Sequence, residues 1–215
     1  GLSSLEIIPR DSIALYKEVE AAARDPFDTT YPACVIVEEE TGAGENERDA
    51  FLERLGSVIE SGLAVDAVVA ESYAQAQSIW RLRDGVTEAI SRAGLTHKFD
   101  VTVPPGALPG FLDRMEQLGE ETGELRTLLF GHLGDGNVHV NMIQKPGLSA
   151  EAFYAKGPAL AERIYSHVAE LNGSISAEHG IGIAKRAYLH HSRTAEEIEL
   201  MRDVKRVLDP DGLLN

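Results

Sequence analysis

The sequence predicts an α+β fold, a sheet with antiparallel pairing and helices mainly on one face, and three observations carry that prediction. Short apolar runs alternate with helical periodicity along the whole chain. Two of those runs, Leu125–Leu133 and Asn137–Ile143, are joined directly as a β-hairpin, which argues against a doubly wound parallel sheet. With 215 residues and a 43% hydrophobic share, the chain can bury about seventy per cent of its extended surface, enough for a full core without disulfide or metal staples.

Taken in order, a strand at Leu5–Ile8 precedes a helix opened by Asp11-Ser12. The run Ala33–Val37 reads as a second strand, followed by the acidic Glu38–Glu40 and a loop at Thr41–Glu45. Phe51, Leu52, Leu55, Val58 and Ile59 recur at three-and-four spacing, so a helix follows, and Gly62 closes it. Val65–Ala70 predicts a third strand. Ile79, Leu82, Val86 and Ile90 form the core stripe of a long helix ending near Gly94. Lys98–Val103 then alternates, with Phe99, Val101 and Val103 on one face and Lys98, Asp100 and Thr102 on the other. Pro104-Pro105-Gly106 breaks the chain before a helix at Leu108–Leu118. After the hairpin, Phe153, Leu160, Ile164, Val168 and Leu171 line a helix over Ala150–Leu171. Asn172–Ile183 is loop-like, and the last helix is acidic at its start and basic at Lys205-Arg206, as the helix dipole favours. No repeat and no linker divides the chain, so residues 1–215 are expected to form a single functional domain.

Charge narrows the partners. Lys and Arg number 20 against 35 Asp and Glu, a formal charge of −15 that repels nucleic-acid phosphates and anionic lipid. Cys34 is the sole cysteine, which forbids an internal disulfide and fits a reducing compartment, the cytoplasm by default, or merely a small buried thiol. No run approaches the roughly twenty apolar residues of a membrane helix.

The richest chemistry lies at His132-Leu133-Gly134-Asp135-Gly136-Asn137-Val138-His139. If Asp135-Gly136 is a two-residue type I′ turn, paired residue numbers sum to 271 and His132 stands opposite His139, with Cβ atoms about 5.5 Å apart. Two imidazoles so placed can share a metal ion. Asn137, His139 and Asn141 then occupy one strand face that must look into a wet or occupied cavity. The segment Ala177–Gly182 offers Glu178 and His179 together, and a His₂-Glu set with an open position is the arrangement of catalytic zinc. The plainer reading is a Gly-rich hairpin holding two half-exposed histidines, with Glu178 a solvated side chain. On the middle helix, Trp80, Arg83 and Thr87 share a second face, where Arg83 can fork onto a carboxylate, Thr87 can supply a hydroxyl and Lys98 on the next strand can add a cation. Alternatively Arg83 pairs with Asp84 or Glu88.

Trp80–Arg83, Lys98–Val101, Gly131–Asn141, Ala177–Gly182 and Leu208–Asn215 together resemble, in order and over nearly the whole chain, the C-terminal half of FAD-linked 2-hydroxy-acid dehydrogenases. That family includes D-lactate dehydrogenases, the glycolate oxidase flavin subunit and D-2-hydroxyglutarate dehydrogenase. The resemblance implies a ferredoxin-like duplicated arrangement. It implies that His132, His139 and Glu178 bind a zinc-type divalent metal, with manganese and iron as alternatives. It makes His179 the active-site base, Asn141 a polar residue beside the reacting centre and the cofactor, and Arg83, Thr87 and Lys98 the substrate-holding side chains. Asn215 falls at the family's terminal cofactor-side motif.

The implied partners are a small 2-hydroxy carboxylate, FAD held mainly by an N-terminal domain absent from this chain, and an electron acceptor that the sequence leaves open, as it does a homodimer. No complete G-x-G-x-x-G or Walker A sequence replaces that domain, so the chain by itself is expected to be inactive. Two other classes fit parts of the pattern: a metal-dependent hydrolase using the same triad to activate water, and a non-catalytic carboxylate-binding module built on Arg83 and Lys98.

Overall fold

The computed structural model describes residues 1–40 and 45–214, so the expected loop at Thr41–Glu45 lies almost wholly outside the described residues. It is α+β as predicted, and it divides into two compact units, Gly1–Ala93 and Gly94–Asn215, directly after a helix and with no Pro- or Ser-rich linker between them.

In the first unit, β1 (Leu2–Pro9) pairs antiparallel with β2 (Ala33–Glu39), with Leu5 opposite Val37 and Ile8 opposite Cys34. Pro9 ends β1 and α1 (Arg10–Val19) starts at the next residue, burying Ile13 and Leu15. This helix packs on α3 (Tyr73–Ala93), whose stripe of Leu82, Val86, Ala89 and Ile90 is buried as the spacing predicts. Gly85 makes the contact possible, because a Cβ there would lie 2.2 Å from the Tyr16 ring. The helix α2 (Glu45–Glu60) precedes Val65–Ala70, which forms no strand. Its valines have β propensity, but the segment pairs with no strand: Val65 is 77% exposed, and Asp66 instead accepts from Tyr31 Oη at 2.8 Å.

An ion-pair cluster ties down the segment after α1. Asp25 Oδ2 lies 2.5 Å from Arg10 Nη1 and 3.6 Å from Lys17 Nζ, and Asp25 Oδ1 accepts from the Phe27 N–H. Burial pushes the Asp25 carboxyl up, but Arg10, the Phe27 N–H and Lys17 together hold it below its ordinary value. A depressed folded value means the contribution is present above the unfolded carboxyl's range, about pH 3.9, and is lost as pH falls through the lower folded value. Asp25→Asn is expected to cost about 1–2 kcal/mol near neutrality, with the deficit shrinking toward about pH 3. Urea unfolding at both pH values checks this, and an undiminished deficit in acid would contradict it.

The second unit is a three-stranded antiparallel sheet in the order β4-β5-β3, formed by β3 (Thr96–Thr102), β4 (Leu125–His132) and β5 (Asn137–Gln144). One face carries Phe99, Val101, Leu129, Val138, Val140 and Met142, which pack with α4 (Leu108–Thr122) and α5 (Ala150–Glu170) through Phe111, Met115, Phe153 and Ile164. Gly119 lets α4 approach the sheet, since a Cβ there would meet Thr127 Oγ1 at 1.9 Å. The opposite face carries Lys98, Asp100, Asn137, His139 and Asn141 by the period-2 rule. The last helix, α6 (Ala195–Leu208), opens on a capping box between Thr194 and Glu197 and leaves Leu200, Met201, Val204, Val207 and Leu208 exposed. Among the described residues no helix is long and apolar enough to cross a membrane.

Candidate metal and catalytic centre

The hairpin forms, but not in the predicted register. His132 pairs with Asn137 and His139 with Phe130, so paired numbers sum to 269 and the loop is the four residues Leu133–Gly136. The physical reason is tertiary. Asp135 Oδ1 accepts the Asn137 N–H at 3.0 Å, and the Asp135 carbonyl accepts from Thr102 Oγ1 at 3.0 Å. The Gly136 carbonyl in turn accepts the Val103 N–H at 3.0 Å. Only Gly136 has positive φ, whereas a type I′ turn needs it at both central positions. Since the register moved by two residues, each side chain keeps its face. His132 and His139 are therefore diagonal neighbours with ring centroids 5.8 Å apart.

The loop bearing Glu178 is delivered to this face by the end of α5. Asn172 adopts φ 58°, the Gly173 N–H returns to the Val168 carbonyl at 2.8 Å, and Ser174 forms a two-way bridge with Thr102. Gly173 is required at that crossing, because a Cβ would sit 2.2 Å from the Thr102 carbonyl. His132, His139 and Glu178 each then offer a ligand atom, all within 4.8 Å of one another, and His132 Nε2 stands 3.0 Å from Glu178 Oε1. Asn137 Nδ2 donates to the same carboxylate oxygen at 2.8 Å. The His179 ring, largely exposed, lies 5.9 Å from that of His139.

Two residues that the sequence reading left without a role organise this centre. Asp100, 2% exposed and opposite His139 in the sheet, accepts through Oδ2 the backbone N–H groups of Glu178 at 2.9 Å and His179 at 2.8 Å. Its Oδ1 is buried without a hydrogen bond, 4.0 Å from His139 Nδ1. Burial pushes the Asp100 carboxyl up, yet the N–H groups of His179 and Glu178 and the charge of Lys185 hold it below the usual range. Lys185 closes the loop from the other side, donating to the Asp100 carbonyl at 3.2 Å and to Ser176 Oγ at 3.0 Å. Burial lowers its ammonium, and Asp100 opposes that shift. The signal in the sequence was an acid alternating in phase with His139 on a neighbouring strand.

The remaining predicted residues fall in several places. Asn141 is buried on the histidine face, its amide directed at the His139 and Leu128 carbonyls at 3.3 and 3.5 Å. Lys98 pairs with Asn141 in the sheet register and is exposed. Arg83 and Thr87 belong to the first unit, where Arg83 Nε pairs with Glu6 Oε2 at 2.9 Å, rather than with Asp84 or Glu88, and Thr87 is exposed. Asn215 lies outside the described residues.

Comparison with known proteins finds relatives along most of the chain. A D-2-hydroxyglutarate dehydrogenase of Stutzerimonas stutzeri is 37% identical over 191 residues, 88% of this chain and 41% of that protein. One from Xanthomonas citri pv. viticola is 38% identical over 203 residues, covering 94% and 43%. The mitochondrial enzyme of Arabidopsis thaliana is 34% identical over 217 residues, covering 100% and 37%. The chain thus spans about two fifths of the length of these relatives. The profile described as "FAD linked oxidases, C-terminal domain" matches residues 1–215 from end to end, and the chain belongs to that family.

Proposed function

We propose that this chain is the substrate- and metal-binding part of a flavin-dependent dehydrogenase that oxidises a D-2-hydroxy acid, D-2-hydroxyglutarate first among them, to the 2-oxo acid. The convergence of His132, His139 and Glu178 beside His179 carries the reading, and the names of the relatives support the substrate. Two imidazoles and one carboxylate fit a divalent ion, zinc in this proposal, with room for a further ligand. When bound, such an ion would supply Lewis acidity toward the substrate hydroxyl, and FAD on a flavin-binding domain would supply the hydride acceptor.

The chain's own groups do the rest. His179 accepts the hydroxyl proton at a ring nitrogen, so that loss of one proton and one hydride leaves the carbonyl. Asn137 fixes the Glu178 carboxylate, and Asp100 with Lys185 holds the backbone that carries both Glu178 and His179. Asn141 borders the reacting centre and the cofactor. Arg83, Thr87 and Lys98 are the candidate substrate-holding side chains of this reading, and within the first unit the Glu6 ion pair sets the plane of the Arg83 guanidinium.

The test joins this chain to the flavin-binding domain of an FAD-linked oxidase and follows bleaching of the oxidised flavin under anaerobic conditions. D-2-hydroxyglutarate is expected to bleach it, D-lactate and glycolate less. Prior chelation should abolish the reaction and added zinc restore it. Bound flavin that none of the three acids reduces would overturn the proposal.

A further inference from the structure

A second cluster stands apart from the centre described above. Glu162 on α5 and the adjacent His190 and His191, at the end of the 3-10 turn Arg186–His191, place one ligand atom each within 4.8 Å of one another. Two features separate this cluster from an ordinary surface ion pair. His191 Nε2 is buried in a side chain only 9% exposed, and lies 3.2 Å from Glu162 Oε1, yet is not aligned for a hydrogen bond. Ligands of a tetrahedral ion with bonds of about 2.0–2.1 Å are themselves about 3.3 Å apart, each lone pair aimed at the shared ion rather than at its neighbour. The second feature is the orientation of His190. Its Nδ1 lies 3.1 Å from the Ala187 carbonyl, which can only accept, so Nδ1 carries the proton and Nε2 presents a lone pair. The His190 and His191 rings are 4.1 Å apart. Glu162 and His190 are exposed and can close the remaining gap by small rotamer changes.

We propose that Glu162, His190 and His191 form a second site for a divalent transition-metal ion of the zinc class, distinct from the His132-His139-Glu178 set. Such an ion clips the 3-10 turn to α5. Ser192, next in the chain, accepts the Ile175 N–H at 2.9 Å, so the clip also fastens the start of the loop that bears Glu178 and His179. Its role is to stiffen that loop rather than to touch substrate.

Equilibrium dialysis of the full chain against micromolar zinc, followed by elemental analysis, tests the site. The unaltered chain is expected to retain about two zinc ions, the His190→Ala/His191→Ala variant about one, and the His132→Ala/His139→Ala variant also about one. Zinc should raise the melting temperature of that last variant, since an ion that binds only the folded state stabilises it. His190→Gln with Glu162→Gln, both at exposed positions, repeats the test without cutting into the largely buried His191 side chain. Unchanged zinc content in both cluster variants would overturn the proposal. So would an unaltered chain whose zinc is lost entirely with His132 and His139.

Discussion

Replacing His139 by alanine, in the chain joined to a flavin-binding domain as in the test proposed above, is expected to lower kcat/KM for D-2-hydroxyglutarate about a thousandfold and to remove one metal ion. The magnitude follows from the work assigned to the ion. Lewis-acid stabilisation of a developing alkoxide is worth several kcal/mol, and about 4 kcal/mol corresponds to three decades in rate. His139 is a sharper probe than His132 or Glu178, because it is the least exposed of the three and sits in the interior strand β5, between β3 and β4. His167→Gln serves as the control: that imidazole pairs with Glu170 and stacks on Phe111 away from the cluster, so metal content and rate should both hold. Initial rates with a dye acceptor, together with zinc analysis, decide the matter. Full activity in the His139 variant would leave the metal without a catalytic role.

The second large effect is structural in origin. Asp100→Ala should destabilise the second unit by about 3–5 kcal/mol, because it removes the acceptor of two backbone N–H groups and strips the partly buried Lys185 ammonium of its counter-charge. For a chain of this length that corresponds to a fall of roughly 10 °C in Tm. Asp100→Asn separates the two contributions: its remaining carbonyl can still accept the N–H groups while the charge is lost, so about 1–2 kcal/mol is expected. Both variants should also slow turnover, since the loop they loosen carries Glu178 and His179. Calorimetry of each variant beside the parent checks the order. Equal losses from Ala and Asn would place the whole effect in the charge.

Much of this molecule was legible from pattern. The stripe of Leu82, Val86 and Ile90, the face of Phe99 and Val101, and the core residues of α5 follow from periodicity alone, because burial is decided one side chain at a time by position along a regular element. That His132 and His139 share a face was legible for the same reason, as parity fixes which face a histidine takes. What escaped depended on contacts between distant segments. The hairpin loop is drawn out to four residues by Thr102 and Val103, on a strand more than thirty residues upstream. Val65–Ala70 has strand propensity, yet it pairs with no strand. The anchoring role of Asp100 rests on backbone N–H groups nearly eighty residues away, and no local window contains that pairing.

The four-residue hairpin loop carries an implication for how related chains can vary in length. A residue gained or lost within β5 between Asn137 and His139 would rotate that imidazole into the oily interior and extinguish the centre, whereas Leu133–Gly136 can lengthen or shorten with both strands kept in step. Length differences among functional descendants of this hairpin should therefore fall within those four positions, and one inside the strand should mark a lineage that has abandoned the chemistry.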